Sequence, residues 1–115
     1  MTPSMPGEER RVHPRLILKA FGFEHFCTLR PRSGTAPCTA RLVDVSRGGA
    51  RCRLEKDCVL AGGESIILDS QLAHRSFSLN DIAGVVRWTS DGYVGLQFEQ
   101  ELAIGVAELQ QMLTP

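Results

Sequence analysis

The sequence predicts an all-β domain with a C-terminal helix, arranged as a small six-stranded antiparallel β-barrel capped by one α-helix. Three observations predict this fold class. About six short segments have the apolar content or alternation of β-strands, turn-forming residues separate them, and the final segment has a helical period. With 115 residues, 43% of them hydrophobic, the chain has the length of one domain with a modest core.

The first half of the chain is predicted to contain three strands. The first is "LILKAFGFEHFCTL", with Gly22 as a bend. Pro, Ser and Gly residues in segment 31–37 indicate a turn, and "CTARLVDVS" follows as the second strand. The third, "GARCRLE", alternates most clearly, because Ala50, Cys52 and Leu54 face one side and the arginines between them face the other.

The second half is predicted to contain three more strands. "SIILDSQL" follows the turn "LAGGE". "FSLNDIAGVVRW" carries a break or bulge at Asn80-Asp81. The Asp-Gly pair within Thr89–Gly92 is typical of a short hairpin connection, after which "YVGLQFE" alternates well.

A single amphipathic helix is predicted over about residues 102–113. Leu102, Val106, Leu109 and Leu113 recur at helical spacing and form one apolar stripe. Gly105 weakens this helix by roughly 1 kcal/mol relative to alanine.

Composition argues against several classes of protein. The formal net charge is zero, whereas a general nucleic-acid binder usually carries a basic excess. Neither a membrane span of roughly 18 apolar residues nor the hydrophobic segment of a signal peptide is found, so we expect a cytoplasmic protein without membrane insertion. The four cysteines do not have zinc-site spacing, so we expect reduced thiols and no metal.

Charge is distributed unevenly despite the neutral total. Segment 41–56 has five basic residues against two acidic ones, and residues 91–115 contain four acidic residues and no Lys or Arg. Because local charge sets the local field, an anionic ligand is expected to meet the first half of the chain.

The first of two notable motifs is a cluster of arginines near the start. Arg11 and Arg15 are spaced as RxxxR, with Arg10 beside them, in a segment 1–14 that is rich in Pro, Gly and charge and is expected to be a flexible arm. Guanidinium groups grip phosphate bidentately and stack on bases, and Pro14 restricts the approach to Arg15. The alternative is a solvated tail.

The second motif is "DVSRGG", which ends the second strand. Asp44 and Ser46 are two residues apart and are expected on one face, where a carboxylate beside a hydroxyl suits adjacent N–H donors such as a guanine edge. Gly48 and Gly49 allow an unusual turn and the close approach of a ligand. The alternative is an ordinary polar turn, since Asp, Ser and Gly are common turn residues.

Together these motifs resemble the PilZ domain, a bacterial receptor module for cyclic di-GMP. The family pairs RxxxR with [D/N]xSxxG, and here both stand in the family's order as "RVHPR" and "DVSRGG". The resemblance covers roughly residues 8–113, including "GVVRWTSDGYVGLQFE" and the closing helix, and implies a PilZ-like split barrel over residues 15–113.

The resemblance also implies a set of ligand-binding residues. The arginines would hold phosphate and stack on guanine, the Asp and Ser would hydrogen-bond guanine, and the glycine would make room at the turn. For the tryptophan, a position against the ligand and a position in the barrel core remain alternatives. The implied cyclic di-GMP site consists of Arg10, Arg11, Arg15, Asp44, Ser46, Gly49 and Trp88. Phosphate contacts from Arg47 and Arg87 are an additional option.

The function implied is a cyclic di-GMP receptor without a cofactor that orders its N-terminal arm on binding and signals to a separate effector protein. The clustered arginines suit the four charges of an intercalated ligand dimer better than the two of a monomer. The main rival is a PilZ-like interaction module in pilus or motility assembly that does not bind the dinucleotide. An enzyme is disfavoured because His13, His25 and His74 are scattered and a phosphate loop is missing, and few aromatic residues disfavour a single-stranded nucleic-acid binder.

Overall fold

A computed structural model describes the backbone of residues 16–17 and the full residues 25–113. Arg10, Arg11 and Arg15, and with them the predicted flexible arm 1–14, lie outside the described residues. The strands are β1 (Leu16–Ile17), β2 (His25–Pro31), β3 (Cys38–Val45), β4 (Gly49–Leu54), β5 (Ser65–Ser70), β6 (Ala73–His74), β7 (Phe77–Ser78), β8 (Ile82–Ser90) and β9 (Tyr93–Phe98), followed by the helix α1 (Val106–Leu113).

Six of these strands close into an antiparallel barrel. Their order is β3-β2-β5-β8-β9-β4, and β4 pairs back with β3 to complete the circle. The predicted fold class, a six-stranded antiparallel barrel with one C-terminal helix, is therefore confirmed. Closure leaves no unpaired barrel edge, which removes the hazard of edge-to-edge association.

Strand β1 extends the pairing of β3 beyond β2. Leu16 and Ile17 pair with Val45 and Asp44, the same two residues of β3 that pair with β4. A strand has two edges, and β4 occupies one edge of β3 at these two residues. β1 therefore lies on the other edge, the one that pairs with β2 nearer the start of β3.

The barrel interior is filled by the apolar residues that alternate along its strands. Leu29, Ile66, Leu68, Val86 and Val94 retain 0% of their surface. Truncation of such a leucine or isoleucine to alanine costs about 2–5 kcal/mol, because the surroundings collapse only partly into the gap. These side chains hold the barrel in the register that positions the outer-face residues described below.

Turn chemistry agrees with the predicted connections. Asp91 and Gly92 both have positive φ, 51° and 84°, which a two-residue type I′ hairpin requires. The predicted break at Asn80-Asp81 separates β7 from β8, and Asp81 has a positive φ of 57°. Alternation along the chain did not reveal the small β6–β7 hairpin, whose strands contain two residues each.

The helix begins at Val106, so the predicted start near Leu102 is wrong. Leu102 is buried as expected, but its N–H donates to the carbonyl of Arg47 at 2.8 Å and thus ties the preceding loop to the β3–β4 turn. The carbonyl of Gly105 accepts the N–H of Leu109, which starts the helical ladder. Among the described residues, no helix combines the length and the apolar character needed to cross a membrane.

Candidate functional site

A β-bulge in β3 turns Asp44 to the outside of the barrel. Leu42 pairs with Cys52, but the next pair is Asp44 with Arg51, so Val43 is an extra residue in β3. An extra residue reverses the alternation of a strand. Asp44 therefore faces outwards with Arg51, whereas Leu42 remains buried in the core.

A second bulge, in β8, brings Trp88 into line with the same residues. Val86 pairs with Leu96, and the next pair is Trp88 with Gly95, which leaves Arg87 as the extra residue. Gly95 also pairs with Arg51. The residues that form what we call the outer row, in order across β3, β4, β9 and β8, are Asp44, Arg51, Gly95 and Trp88.

Asp44 forms an ion pair within the outer row. Its Oδ2 lies 3.1 Å from Nη2 of Arg51, and the carboxylate side chain retains only 4% of its surface. The Arg51 side chain is 37% exposed, so the buried member is the carboxylate, and removing Arg51 would leave that buried charge without its partner. Nε of Arg51 is also buried and makes no hydrogen bond to any part of the chain that the structure describes.

The hydroxyl of Ser46 is engaged in the turn that follows β3. It accepts the N–H of Gly48 at 3.2 Å and lies 3.4 Å from the carbonyl of Gly49, to which it donates. The backbone N–H of Ser46 donates to the same carbonyl at 2.8 Å. A hydroxyl offers one donor and two acceptor positions, so these bonds use the donor and one acceptor position.

Gly49 has a requirement that comes from the fold itself. A Cβ at this position would meet the Leu96 carbonyl oxygen of β9 well inside 3.0 Å, and would lie 3.5 Å from Cα of Gln97. Its φ is not among the positive values of the described glycines. The motif glycine is thus explained by close approach of β9, and space for a ligand is not needed to account for it.

The turn between β3 and β4 is fixed from the other side by the end of β9 and by the chain that follows it. Phe98 donates its N–H to the carbonyl of Gly48 at 2.9 Å. Nη2 of Arg47 lies 3.3 Å from Oε1 of Glu101, while Nε of Arg47 is buried and lacks a hydrogen-bond partner among the described residues. The motif therefore sits on a braced turn beside two buried arginine donors, the Nε groups of Arg47 and Arg51.

Trp88 lies on the outer surface, so its alternative position in the barrel core is wrong. The residue is 39% exposed, and its indole covers Gly95, where a Cβ would collide with Nε1 and Cε2 of the ring. Gly95 in turn separates the indole from Arg51 in the outer row. An aromatic ring and a guanidinium are thus presented on the same face. Arg87 is exposed at the bulge next to Trp88.

The structure brings together part of the predicted site and adds one residue to it. Asp44, Ser46, Gly49 and Trp88 belong to the outer row or to the adjoining turn. Arg51, the ion-pair partner of Asp44, was not among the predicted site residues. The alternation in "GARCRLE" placed it on the outer face, but the pairing with Asp44 depends on the bulge at Val43.

Comparison with known proteins identifies the family. The sequence model of the PilZ domain matches residues 9–114, so this chain belongs to the PilZ domain family. PilZ domains are binding and regulatory modules. No curated protein sequence matched the chain.

Two solved structures share the fold. The PilZ domain with c-di-GMP of YcgR from Escherichia coli superposes with a TM-score of 0.62 at 17% identity, covering 90% of this chain and 86% of that one. The PilZ domain of CeSA from a cellulose synthesizing bacterium gives a TM-score of 0.55 at 13% identity, with 87% and 90% covered. At these identities the comparison establishes the fold.

Proposed function

We propose that this chain is a cyclic di-GMP receptor that orders its N-terminal arm on ligand binding and signals to a separate partner protein. The family and the fold both favour this function, and the similar PilZ domain of YcgR was solved with c-di-GMP. The sequence also retains RxxxR and DxSxxG. The proposed ligand residues are Arg10, Arg11, Arg15, Asp44, Ser46, Gly49 and Trp88.

The observation that carries the proposal is the pairing of β1 with the end of β3. Leu16 lies opposite Val45, one residue before Ser46. Because neighbouring Cα atoms are about 3.8 Å apart and paired strands about 5 Å apart, covalent connectivity keeps residue 15 within about 10 Å of Val45. Arg11, four residues earlier, has a reach of about 14 Å from there. Chain connectivity therefore allows both motif arginines to reach DxSxxG, which supports the proposal.

The chemistry of the outer row suits a guanine nucleotide. Asp44 is an acceptor, and a carboxylate has about four acceptor sites, so the Arg51 bond does not exhaust it. The buried Nε donors of Arg47 and Arg51 lack acceptors among the described residues, and phosphate oxygens are strong acceptors. Trp88 offers an exposed ring for base stacking.

The proposed switch follows from the separation of the two motifs. Asp44 and Ser46 lie on a barrel whose strands are fully paired, whereas the arginines precede β1. Ligand phosphates bound by Arg10, Arg11 and Arg15 would hold the arm against the outer row and change the surface offered to a partner. An intercalated ligand dimer carries four negative charges, and a single cyclic di-GMP carries two. The clustered arginines and the neighbouring Arg47 suit the charge of the dimer better.

Isothermal titration calorimetry with cyclic di-GMP tests this proposal. Saturable heat is expected, with two ligands per chain if the dimer binds. Arg15→Gln and Asp44→Asn are each expected to weaken binding at least about tenfold, because charge-assisted hydrogen bonds contribute about 1.5–3 kcal/mol. Matched controls are Arg75→Gln and Asp57→Asn, which change exposed residues elsewhere and should leave affinity unchanged.

The amide spectrum of each variant establishes that it is folded before titration. This check matters for Asp44→Asn, since the change leaves Arg51 beside an uncharged amide. Absence of heat with the native chain at micromolar concentrations would contradict the receptor function and favour the interaction module in pilus or motility assembly.

A further inference from the structure

The four cysteines of the chain form two pairs in space. Sγ of Cys27 lies 4.0 Å from Sγ of Cys52, and both thiols are buried in the barrel core. Cys38 begins β3, Cys58 lies in the loop after β4, and their thiols hydrogen-bond to each other. Cys38 is buried, whereas Cys58 is only partly buried. The second pair therefore includes a sulfur that a small reagent in solution can reach.

Backbone contacts hold the Cys38–Cys58 pair together. The thiol of Cys58 donates to the carbonyl oxygen of Thr39, which lies 3.8 Å from its sulfur. The N–H of Val59 in turn donates to the sulfur of Cys38. Each sulfur thus contacts the backbone of the residue that follows the other cysteine. With the two chain segments already side by side, a disulfide between these sulfurs needs little backbone movement, which is the main geometric condition for forming one.

The pair lies at the base of the hairpin that carries DxSxxG. Directly after β4, the N–H of Glu55 donates to the carbonyl of Thr39 and continues the pairing with β3. A turn then brings the chain back, closed by the N–H of Cys58 and the carbonyl of Glu55 at 3.0 Å. A bond between Cys38 and Cys58 would close residues 38–58 into a covalent ring that contains β3, the motif turn and β4.

We propose that Cys38 and Cys58 form a redox-sensitive disulfide that closes the base of this hairpin, with hydrogen peroxide as the oxidant. The sulfur of Cys58 attacks the O–O bond and becomes a sulfenic acid, and the departing hydroxide takes the thiol proton and leaves as water. The sulfur of Cys38 then attacks that of Cys58 and displaces hydroxide, which takes the second thiol proton and leaves as water. Each sulfur has lost one electron, and the peroxide has gained two.

Burial assigns the two roles. The thiolate is the reactive form of cysteine, and access decides which sulfur meets the oxidant first. Burial and the hydrogen bond with Cys58 raise the pKa of the Cys38 thiol to about 11, so this thiol is protonated at neutral pH. The first oxidation is therefore expected at the more exposed Cys58, and the attack by Cys38 is expected to be the slower step. A small thiol in excess reopens the disulfide by exchange.

The Cys27–Cys52 pair provides an internal comparison. Its sulfurs are also close together, but the two residues are only 4% and 0% exposed. Peroxide reaches them only when the barrel opens. In the native chain the two pairs should therefore differ in their rate of oxidation although both have neighbouring sulfurs.

Treatment of the full chain with hydrogen peroxide, followed by alkylation and peptide mapping by mass spectrometry, tests the proposal. We expect an intramolecular Cys38–Cys58 disulfide while Cys27 and Cys52 stay reduced. The Tm measured by circular dichroism should rise by about 5–12 °C, because the ring restricts the unfolded chain, and should return to its first value with dithiothreitol. In Cys58→Ala both the disulfide and the rise in Tm should be lost.

Two further variants separate the steps. In Cys38→Ser the sulfenic acid of Cys58 has no partner thiol, so dimedone should trap it. Cys27→Ala removes a buried thiol of the other pair and is the matched control, which should still form the Cys38–Cys58 disulfide. If Cys38→Ser disturbs the amide spectrum of the free chain, Cys38→Ala replaces it in the same trapping experiment.

Several results would overturn the proposal. These are a Cys27–Cys52 disulfide that forms first, disulfides between chains instead of within one, sulfinic acid at Cys58 without a crosslink, or a fall in Tm when the crosslink forms. None of these measurements contains cyclic di-GMP, so their outcome is independent of the proposed receptor function.

Discussion

Gly49→Ala places a methyl group against the backbone of the neighbouring strand. The new Cβ would meet the Leu96 carbonyl oxygen well inside 3.0 Å, a separation that real Cβ atoms essentially never show. The atoms of Leu96 and Gln97 that the new Cβ would meet all belong to the backbone, and Gly49 pairs with Gln97 in the β4–β9 ladder. The contact therefore cannot be relieved by the movement of a flexible side chain. The two strands must move apart at the point where Phe98 donates to Gly48.

The expected loss of stability follows from two contributions. Overpacking of this kind costs about 1–3 kcal/mol, and each weakened backbone hydrogen bond costs about 1 kcal/mol more. We therefore expect the free energy of unfolding to fall by about 2–4 kcal/mol. For a domain of this size that corresponds to a drop in Tm of about 8–16 °C, measured by circular dichroism and checked by urea denaturation.

Gly62→Ala is the matched control. A Cβ there has nothing within 4 Å and the residue does not have positive φ, so stability should be unchanged or rise by up to about 1 kcal/mol. If Gly49→Ala unfolds within about 0.5 kcal/mol of the native chain, the packing argument for the motif glycine is refuted. If it is destabilised as expected, loss of ligand binding in this variant does not report a ligand contact.

Three further outcomes are expected. Gly95→Ala displaces the indole of Trp88, the single tryptophan, so its fluorescence emission should shift to longer wavelength. At neutral pH the thiol reagent DTNB should react first with Cys58, since the other three cysteines are buried. A hydrogen bond from Arg30 lowers the pKa of Asp69, which therefore contributes stability above its unfolded pKa of about 4 that is lost as pH falls through the lower folded value. Arg30→Gln should make acid unfolding begin at higher pH.

Each of these outcomes has a simple control. Gly62→Ala should leave the emission spectrum unchanged, and an identical spectrum for Gly95→Ala would contradict the ring position. All four thiols should react in denaturant; simultaneous reaction in the native chain would contradict the buried core. Arg75→Gln should not move the acid transition, and the same shift in both arginine variants would indicate a general charge effect.

Much of the fold is predictable because local chemistry and tertiary structure agree. The alternation of Ala50, Cys52 and Leu54 marks the face that packs inside the barrel. Asp91 and Gly92 specify their hairpin because both can adopt positive φ. The start of the helix was misplaced because Leu102 is apolar and buried, yet it contributes to the core from a loop.

The candidate site was predictable as a set of residue types, but its arrangement was not. Asp44 and Ser46 were expected to share a strand face, but β3 ends at Val45 and Ser46 lies in the turn beyond it. The bulge at Val43 determines that Asp44 faces outwards. Bulges have no distinctive residue signal here, so the ion pair between Asp44 and Arg51 could not be anticipated. Only the paired strands show that Trp88 is aligned with them.

Backbone amide spectra with and without cyclic di-GMP test the central claim most directly. We predict that saturating ligand shifts the amides of Ser46, Arg47 and Gly48 and, at the same ligand concentration, those of residues 10–15. Joint saturation would show that the arginine motif and DxSxxG bind one ligand. Shifts at the turn without any at residues 10–15, or no shifts at either motif, would contradict the account.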